Sequence, residues 1–157
     1  GGGLASPTRG IIHIAYDGST TNTIEFCTIS TSGSFQDFGD ATTTLNNVRS
    51  GTGGSSTRGV SMGGGDSYTD VCSFLTFATT GNTTNFGDLS TGKSYSNAVS
   101  DRITCMMAGG QLAPGGTITN QIDSLRIATG GTAVDSGDLT VTKRENSAAS
   151  NGHGGLG

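Results

Sequence analysis

The sequence predicts an all-β fold assembled from three diverged repeats, and three observations predict it. First, Phe38-Gly39-Asp40, Phe86-Gly87-Asp88-Leu89 and Ser136-Gly137-Asp138-Leu139 recur at steps of 48 and 50 residues, each behind a Thr/Gly turn at 30–33, 78–81 and 128–131. Second, short β-branched and apolar runs stand at matching places, at 24–29, 71–77 and 122–127, and before them at 11–15, 60–62 and 103–108. Third, the chain of 157 residues holds 28 Gly, with 31% hydrophobic, 6% aromatic and 13% charged residues and no Trp. Disorder usually brings high charge. Low charge with β-branched runs between Gly, Asn, Ser and Thr clusters instead fits many short strands joined by tight turns.

Taken in order, each unit opens on an Arg (Arg9, Arg58, Arg102) and a first strand. A Gly turn follows, Gly63-Gly64-Gly65 and Gly109-Gly110 in the second and third units and Tyr16-Asp17-Gly18 in the first. Then come a second strand, the Thr-Gly turn and a short strand around the Gly-Asp element. A last strand before Ser50, Ser100 and Ser150 completes the unit, carried by Asn47-Val48-Arg49, Asn97-Ala98-Val99 and Ser147-Ala148-Ala149. The units are 1–50, 51–100 and 101–150, and 151–157 opens a fourth. About four short strands in about fifty residues make up one propeller blade. The rival is a β-solenoid or other β-repeat array, although solenoid coils are about half this length. Glycines at nearly every turn and the β-branched content exclude helical repeats.

The second unit, STRGVSMGGGDSYTDVCSFLTFATTGNTTNFGDL, resembles the Kelch family: an Arg before the first strand, a diglycine, a second strand with an aromatic, and Phe86 where Kelch blades usually carry Trp. The resemblance covers nearly the whole chain and implies a Kelch-like β-propeller. The chain departs from the pattern in having no Trp, no diglycine in the first unit, and Ser136 in place of the third aromatic. The wording Ala78-Thr79-Thr80-Gly81-Asn82, Phe86-Gly87-Asp88-Leu89 and Ser56-Thr57-Arg58-Gly59 is also similar to Gly/Thr-rich repeats in structural and tail-fibre proteins of marine bacteriophages. That second likeness implies a virion component.

A net charge of −4 offers no basic footprint for nucleic acid. No apolar stretch approaches the roughly eighteen residues of a membrane span, and no signal peptide is visible. The chain begins Gly1-Gly2-Gly3, which reads as a processed product or a segment of something longer. Repeated blades bury their faces only against neighbours. Three blades therefore call for a longer chain or for association of copies into a closed ring.

Cys27 aligns with Leu75 and Leu125, Cys72 with Ile24 and Ile122, and Cys105 falls in an apolar strand, so the cysteines read as small core hydrophobes. Neither a disulfide framework nor a zinc spacing is present. Asp40, Asp88 and Asp138 recur in every unit, whereas an active site needs one asymmetric constellation; they read as framework that fixes a turn. A calcium ring is the rival, but calcium wants six to eight oxygens. Gly63-Gly64-Gly65-Asp66 reads as a turn. Arg9, Arg58 and Arg102, with His153 at the matching place, read as structural cations bonding carbonyls or an acid of their own or the adjacent blade, with a cationic rim for an acidic glycan as the rival. His13 reads as a strand residue with one satisfied nitrogen. Two histidines are too few for a Kelch-fold copper oxidase site. No Gly-x-Ser-x-Gly elbow stands on a strand-to-helix turn.

No catalytic, cofactor or metal residue is expected, and the chain reads as a non-enzymatic module. Loops of unequal length on a repeated scaffold are where binding concentrates. Tyr16, Asp17, Tyr68 and Gln111 are the candidate ligand-binding residues, a tyrosine stacking on a sugar face. The expected function is a structural or receptor-binding module of a phage-like virion, placed in a tail or surface appendage. Its expected partners are other virion proteins, copies of itself and a host surface glycan, with neither nucleic acid nor membrane insertion. An extracellular bacterial adhesin, an architectural filament subunit and, last, a glycan-processing enzyme are the alternatives.

Overall fold

The computed structural model describes residues 2–13, 19, 21–42, 50–65 and 67–150. These residues form an all-β fold of four antiparallel sheets. The first sheet contains β1 (Gly3–Ala5), β2 (Arg9–His13), β3 (Thr23–Thr28) and β4 (Gln36–Asp40) in that spatial order. The second repeats the meander with β5 (Gly51–Gly54), β6 (Arg58–Gly64), β7 (Thr69–Thr76) and β8 (Thr84–Asp88). After β9 (Lys93–Ser94), the third sheet takes β10 (Asn97–Ser100), β11 (Thr104–Ala108), β14 (Gln121–Arg126) and β15 (Val134–Asp138). Between β11 and β14, β12 (Gln111–Leu112) and β13 (Thr117–Ile118) form a hairpin that pairs with β9 as a small three-stranded sheet.

Pairing corrects the order read from the sequence. Asn97–Ser100 does not close the second unit; it pairs with β11 and opens the third sheet. The four-stranded units are therefore 3–40, 51–88 and 97–138. The opening of a fourth unit at 151–157, with His153, lies outside the described residues, as do Asn47, Val48, Arg49, Asp66 and the first unit's Tyr16-Asp17-Gly18 turn.

The sheets pack face to face, with one apolar cluster at each contact. Leu4, Ile11, Ile24, Phe26 and Phe38 of the first sheet meet Leu75 and Phe77 of the second. The opposite face of the second sheet, with Val60, Met62 and Cys72, meets Cys105, Met107, Leu125 and Ile127. Alternation along a strand sends successive side chains to opposite faces, so the middle sheet serves both clusters. Its strand β6 is buried from Gly59 to Gly64. Cys72 and Cys105 are buried free thiols, and burial pushes both up to about 12. Cys27 lies opposite Gly10 as Leu75 lies opposite Gly59 and Leu125 opposite Cys105, which places it at the aliphatic position assigned from the sequence.

The recurring Phe-Gly-Asp element is a β-bulge. The register skips Phe38, Phe86 and Ser136, each followed by a glycine at φ 141°, 155° or 136°. Asp37, Asn85 and Asp135 brace it by accepting the N–H of Gly39, Gly87 and Gly137 at 3.0, 3.1 and 3.1 Å. This corrects the role given to Asp40, Asp88 and Asp138: among the described residues their carboxylates accept no hydrogen bond. Their main chains do the work, since Asp40 O and Asp88 O accept from Thr83 N and Ala133 N of the next sheet at 2.8 and 2.7 Å. The bulged Phe38 O and Phe86 O accept likewise from Gly81 N and Gly131 N at 2.7 and 2.9 Å. The bulge thus turns strand carbonyls toward the neighbouring repeat. A Cβ on Gly87 would collide with the Gly131 carbonyl, and one on Gly39 would lie 2.5 Å from Gly81 C. Glycine is required there by close approach as well as by φ.

Candidate functional site

Arg9 and Arg58 occupy equivalent places in the first two sheets, facing Thr28 and Thr76. Each guanidinium lies 4.7 Å from the ring centroid of an aromatic in its own sheet, Arg9 over Phe26 and Arg58 over Phe74. Each also reaches the next sheet, where Arg9 Nη1 donates to Phe77 O at 2.6 Å and Arg58 Nη1 to Ala128 O at 2.8 Å. Arg102 does not share this place. Register puts Thr104 where Arg9 and Arg58 stand, since Thr104 faces Arg126 as Arg58 faces Thr76. Arg102 instead sits in the exposed turn before β11. Asp101 caps that turn by accepting Ile103 N and Thr104 N, both at 2.7 Å, which holds its carboxyl below the ordinary carboxylate range.

The ligand-binding candidates divide. Tyr16 and Asp17 lie outside the described residues. Tyr68 and Gln111 come together: Tyr68 OH donates to Gln111 Oε1 at 3.4 Å, and Gln111 Nε2 donates to Gly116 O at 3.0 Å. Tyr95, which the sequence reading left without a role, completes the group. Its ring stands 6.3 Å from that of Tyr68, and the Arg144 guanidinium lies 6.0 Å from its centroid. Both tyrosines are half-buried and hold φ of 53° and 60°. Such conformations cost a non-glycine residue about 1–3 kcal/mol and cluster at functional sites. The small sheet positions them: Ala113 N donates to Gly92 O, which ties the Pro114-Gly115-Gly116 loop to the segment ahead of β9.

This aromatic rim borders a cleft of about 580 Å³ where the first strands of the three sheets converge. Its walls are residues 2–5 with β1, β5 and β10, and residues 145–150 along β10. Gly, Ala, Ser and Asn make up most of its lining, with Thr52, Tyr95 and Glu145 among the rest. Tyr95 belongs to both cleft and rim, and Glu145 of the cleft wall donates its N–H to Tyr95 O at 2.8 Å.

Two buried polar features escaped sequence reasoning. Lys93 and Asp123 are fully buried and form an ion pair, with Lys93 Nζ also donating to Gln121 O at 3.2 Å. Ser90 Oγ and Gln121 Nε2 each donate to Asp123 Oδ1 at 3.2 Å. The available signals were a lone acid within an apolar run and a lysine, Lys93, repeated at Lys143. Among the described residues neither ring nitrogen of the buried His13 has a partner, where the sequence reading expects one satisfied nitrogen, and desolvation lowers its pKa to about 4.

No protein-family model matches the chain, and no curated protein matches it in sequence. A solved structure similar to it is described as a novel fungal alcohol oxidase with catalytic diversity among the AA5 family, in complex with copper. The TM-score is 0.64 at 15% identity, covering 87% of this chain and 31% of the oxidase. At that identity the likeness is one of fold. It still corrects the expectation that the chain is not an enzyme, because an enzyme carries the same arrangement of sheets. Copper is a separate matter. Among the described residues no three His, Cys, Asp or Glu side chains come together.

Proposed function

We propose that the chain is a receptor-binding or structural module of a phage-like virion, its three sheets acting as consecutive blades of a Kelch-like propeller. Its ligand is a host surface glycan held at the rim formed by Tyr68, Tyr95 and Gln111. One observation carries this reading: two tyrosines from different loops sit side by side in strained backbone conformations beside a polar cleft. Aromatic faces stack on the C–H surface of sugar rings, and Gln111 supplies donor and acceptor beside them. The wording of the repeats, similar to phage tail-fibre proteins, supports a place on a virion appendage, where other virion proteins and copies of the chain are its neighbours. The test is a glycan array probed with the wild-type chain and with Tyr68→Ala and Tyr95→Ala. The reading requires binding to at least one polysaccharide class and its loss in both variants. Binding that survives both substitutions would refute the rim as the site.

A further inference from the structure

Each contact between sheets has a giving and a receiving side. The giving side offers the two bulge carbonyls, an Arg stacked on Phe, and a hydroxyl, Thr42 or Ser90. The receiving side offers the amides of Gly81 and Thr83, or of Gly131 and Ala133, and a polar side chain on the central strand. That side chain is Ser73, bonded to Thr42, or Asp123, bonded to Ser90 and paired with Lys93. The third sheet ends in a giving side, and the first sheet opens with a receiving side. Among the described residues nothing covers either side.

These two ends complement each other in three respects. The first is main chain: Ser136 O and Asp138 O occupy the places of Phe86 O and Asp88 O, while Gly33 N and Phe35 N occupy those of Gly81 N and Thr83 N. The second is size. At the contact between the second and third sheets, aromatics on the giving side meet a small residue: Phe74 and Phe86 pack in one cluster with Ala133. At the open ends the sizes are inverted. Phe35, 40% exposed, stands where Thr83 and Ala133 are. Ser124, Ser136 and Thr104 stand where Phe74, Phe86 and Arg58 are, and Thr104, Ser124 and Val134 line a cleft of about 300 Å³. The third is charge. The Lys143 carbonyl packs against Gly109 as the Lys93 carbonyl packs against Gly63, so the two lysines are equivalent. By register Glu25, opposite Asp37, matches Asp123, opposite Asp135. Lys93 and Asp123 pair; among the described residues Lys143 and Glu25 have no ionic partner.

We propose that the third sheet of one copy docks on the first sheet of a second copy, Phe35 entering the Ser124–Val134 cleft and Lys143 pairing with Glu25. The contact is head-to-tail, so it builds rings or open chains according to its rotation. Residues 146–150 lie along β10, where β1 of the arriving copy belongs, held by Asn97 Nδ2 to Asn146 O at 3.2 Å and Ser100 N to Ser150 Oγ at 3.1 Å. They yield that place as the copies meet. The inference goes beyond the glycan-binding reading and does not depend on it.

Sedimentation equilibrium of the full chain tests it. The wild type is expected to exceed the 15.7-kDa monomer mass increasingly with concentration. Glu25→Lys and Lys143→Glu should each weaken association on the order of a hundredfold, because each sets like charges against each other across the contact. Mixed together, the two variants should associate again, because opposite charges then face each other at positions 143 and 25 in both mixed contacts. Phe35→Asp, at an exposed position that leaves folding intact, should abolish association. A wild type that stays monomeric throughout, single variants that associate like the wild type, or a mixture no tighter than its components would each overturn the proposal.

Discussion

Arg58 stacks on Phe74 at 4.7 Å while donating to Ala128 O at 2.8 Å, so one side chain ties the second sheet to the third. Arg9 ties the first to the second in the same way, over Phe26 and onto Phe77 O. A hydrogen bond from a charged donor contributes about 1.5–3 kcal/mol, and a cation over an aromatic face about 0.5–1 kcal/mol at a partly exposed site. Arg58→Ala should therefore lower the unfolding free energy by about 2 kcal/mol in urea titrations. Arg58→Lys should recover only part of that, because a compact ammonium cannot stack and bond at once. Full recovery by lysine would mean that charge alone holds the sheets.

The bulge glycines separate collision from backbone strain. Gly87 and Gly137 hold similar positive φ, 155° and 136°, but a Cβ on Gly87 meets the Gly131 carbonyl while one on Gly137 meets nothing. Alanine at either position pays the cost of its φ; only at Gly87 must the second and third sheets also move apart. Gly87→Ala is expected to be the more destabilising by at least about 2 kcal/mol, within the range of overpacking penalties. Equal losses in thermal or urea melts would place the whole effect in backbone strain and none in the sheet contact.

His13 makes stability depend on pH. Its buried imidazole stays neutral in the native state down to about pH 4, whereas in the unfolded chain it takes up a proton near pH 6.5. Between these values the unfolded state binds more protons, so stability falls as pH drops from about 6.5 to about 4. The full shift corresponds to about 3 kcal/mol as an order of magnitude. His13→Met introduces the residue at the matching position of the second sheet, Met62, which is buried in its core. It should stabilise the chain in mild acid and flatten the profile over that window. A wild-type profile already flat between these values would show that His13 gains a partner or leaves the core.

Much of this architecture was legible in the sequence because repetition compares each position with two others. The cysteines were placed with Leu75, Leu125, Ile24 and Ile122 on substitution alone, and pairing puts them there. Arg9 and Arg58 recur at equivalent register positions, facing Thr28 and Thr76. Arg102 was misread because an Arg two places early keeps the spacing while facing a turn. The bracing side chain at 37, 85 and 135 was missed because Asn replaces Asp in the middle repeat, and a search for recurring acids passes over it. Tyr68 and Gln111 were singled out by unequal loop lengths. Tyr95 was not, because its approach to Tyr68 depends on how the β12–β13 hairpin folds back on β9.

The Lys93–Asp123 pair lies wholly out of water between the second and third sheets. Desolvating two such charges costs several kcal/mol per ion, and their attraction with the surrounding hydrogen bonds only offsets that. Removing one partner strands the other. Asp123→Ala leaves the Lys93 ammonium with Gln121 O alone, and a loss of about 3–5 kcal/mol is expected. Lys93→Met leaves a buried carboxylate bonded to Ser90 and Gln121, with a loss in the same range. Replacing both, as Lys93→Met with Asp123→Leu, removes the charge altogether and fills similar volume, so stability should return to within about 1 kcal/mol of the wild type. The double-mutant cycle in urea decides whether this pair adds stability or mainly fixes how the sheets meet. If the double variant is as unstable as either single one, the pair contributes attraction beyond its desolvation cost. A double variant that is stable but poorly cooperative would assign the pair to specifying the packing of the third sheet.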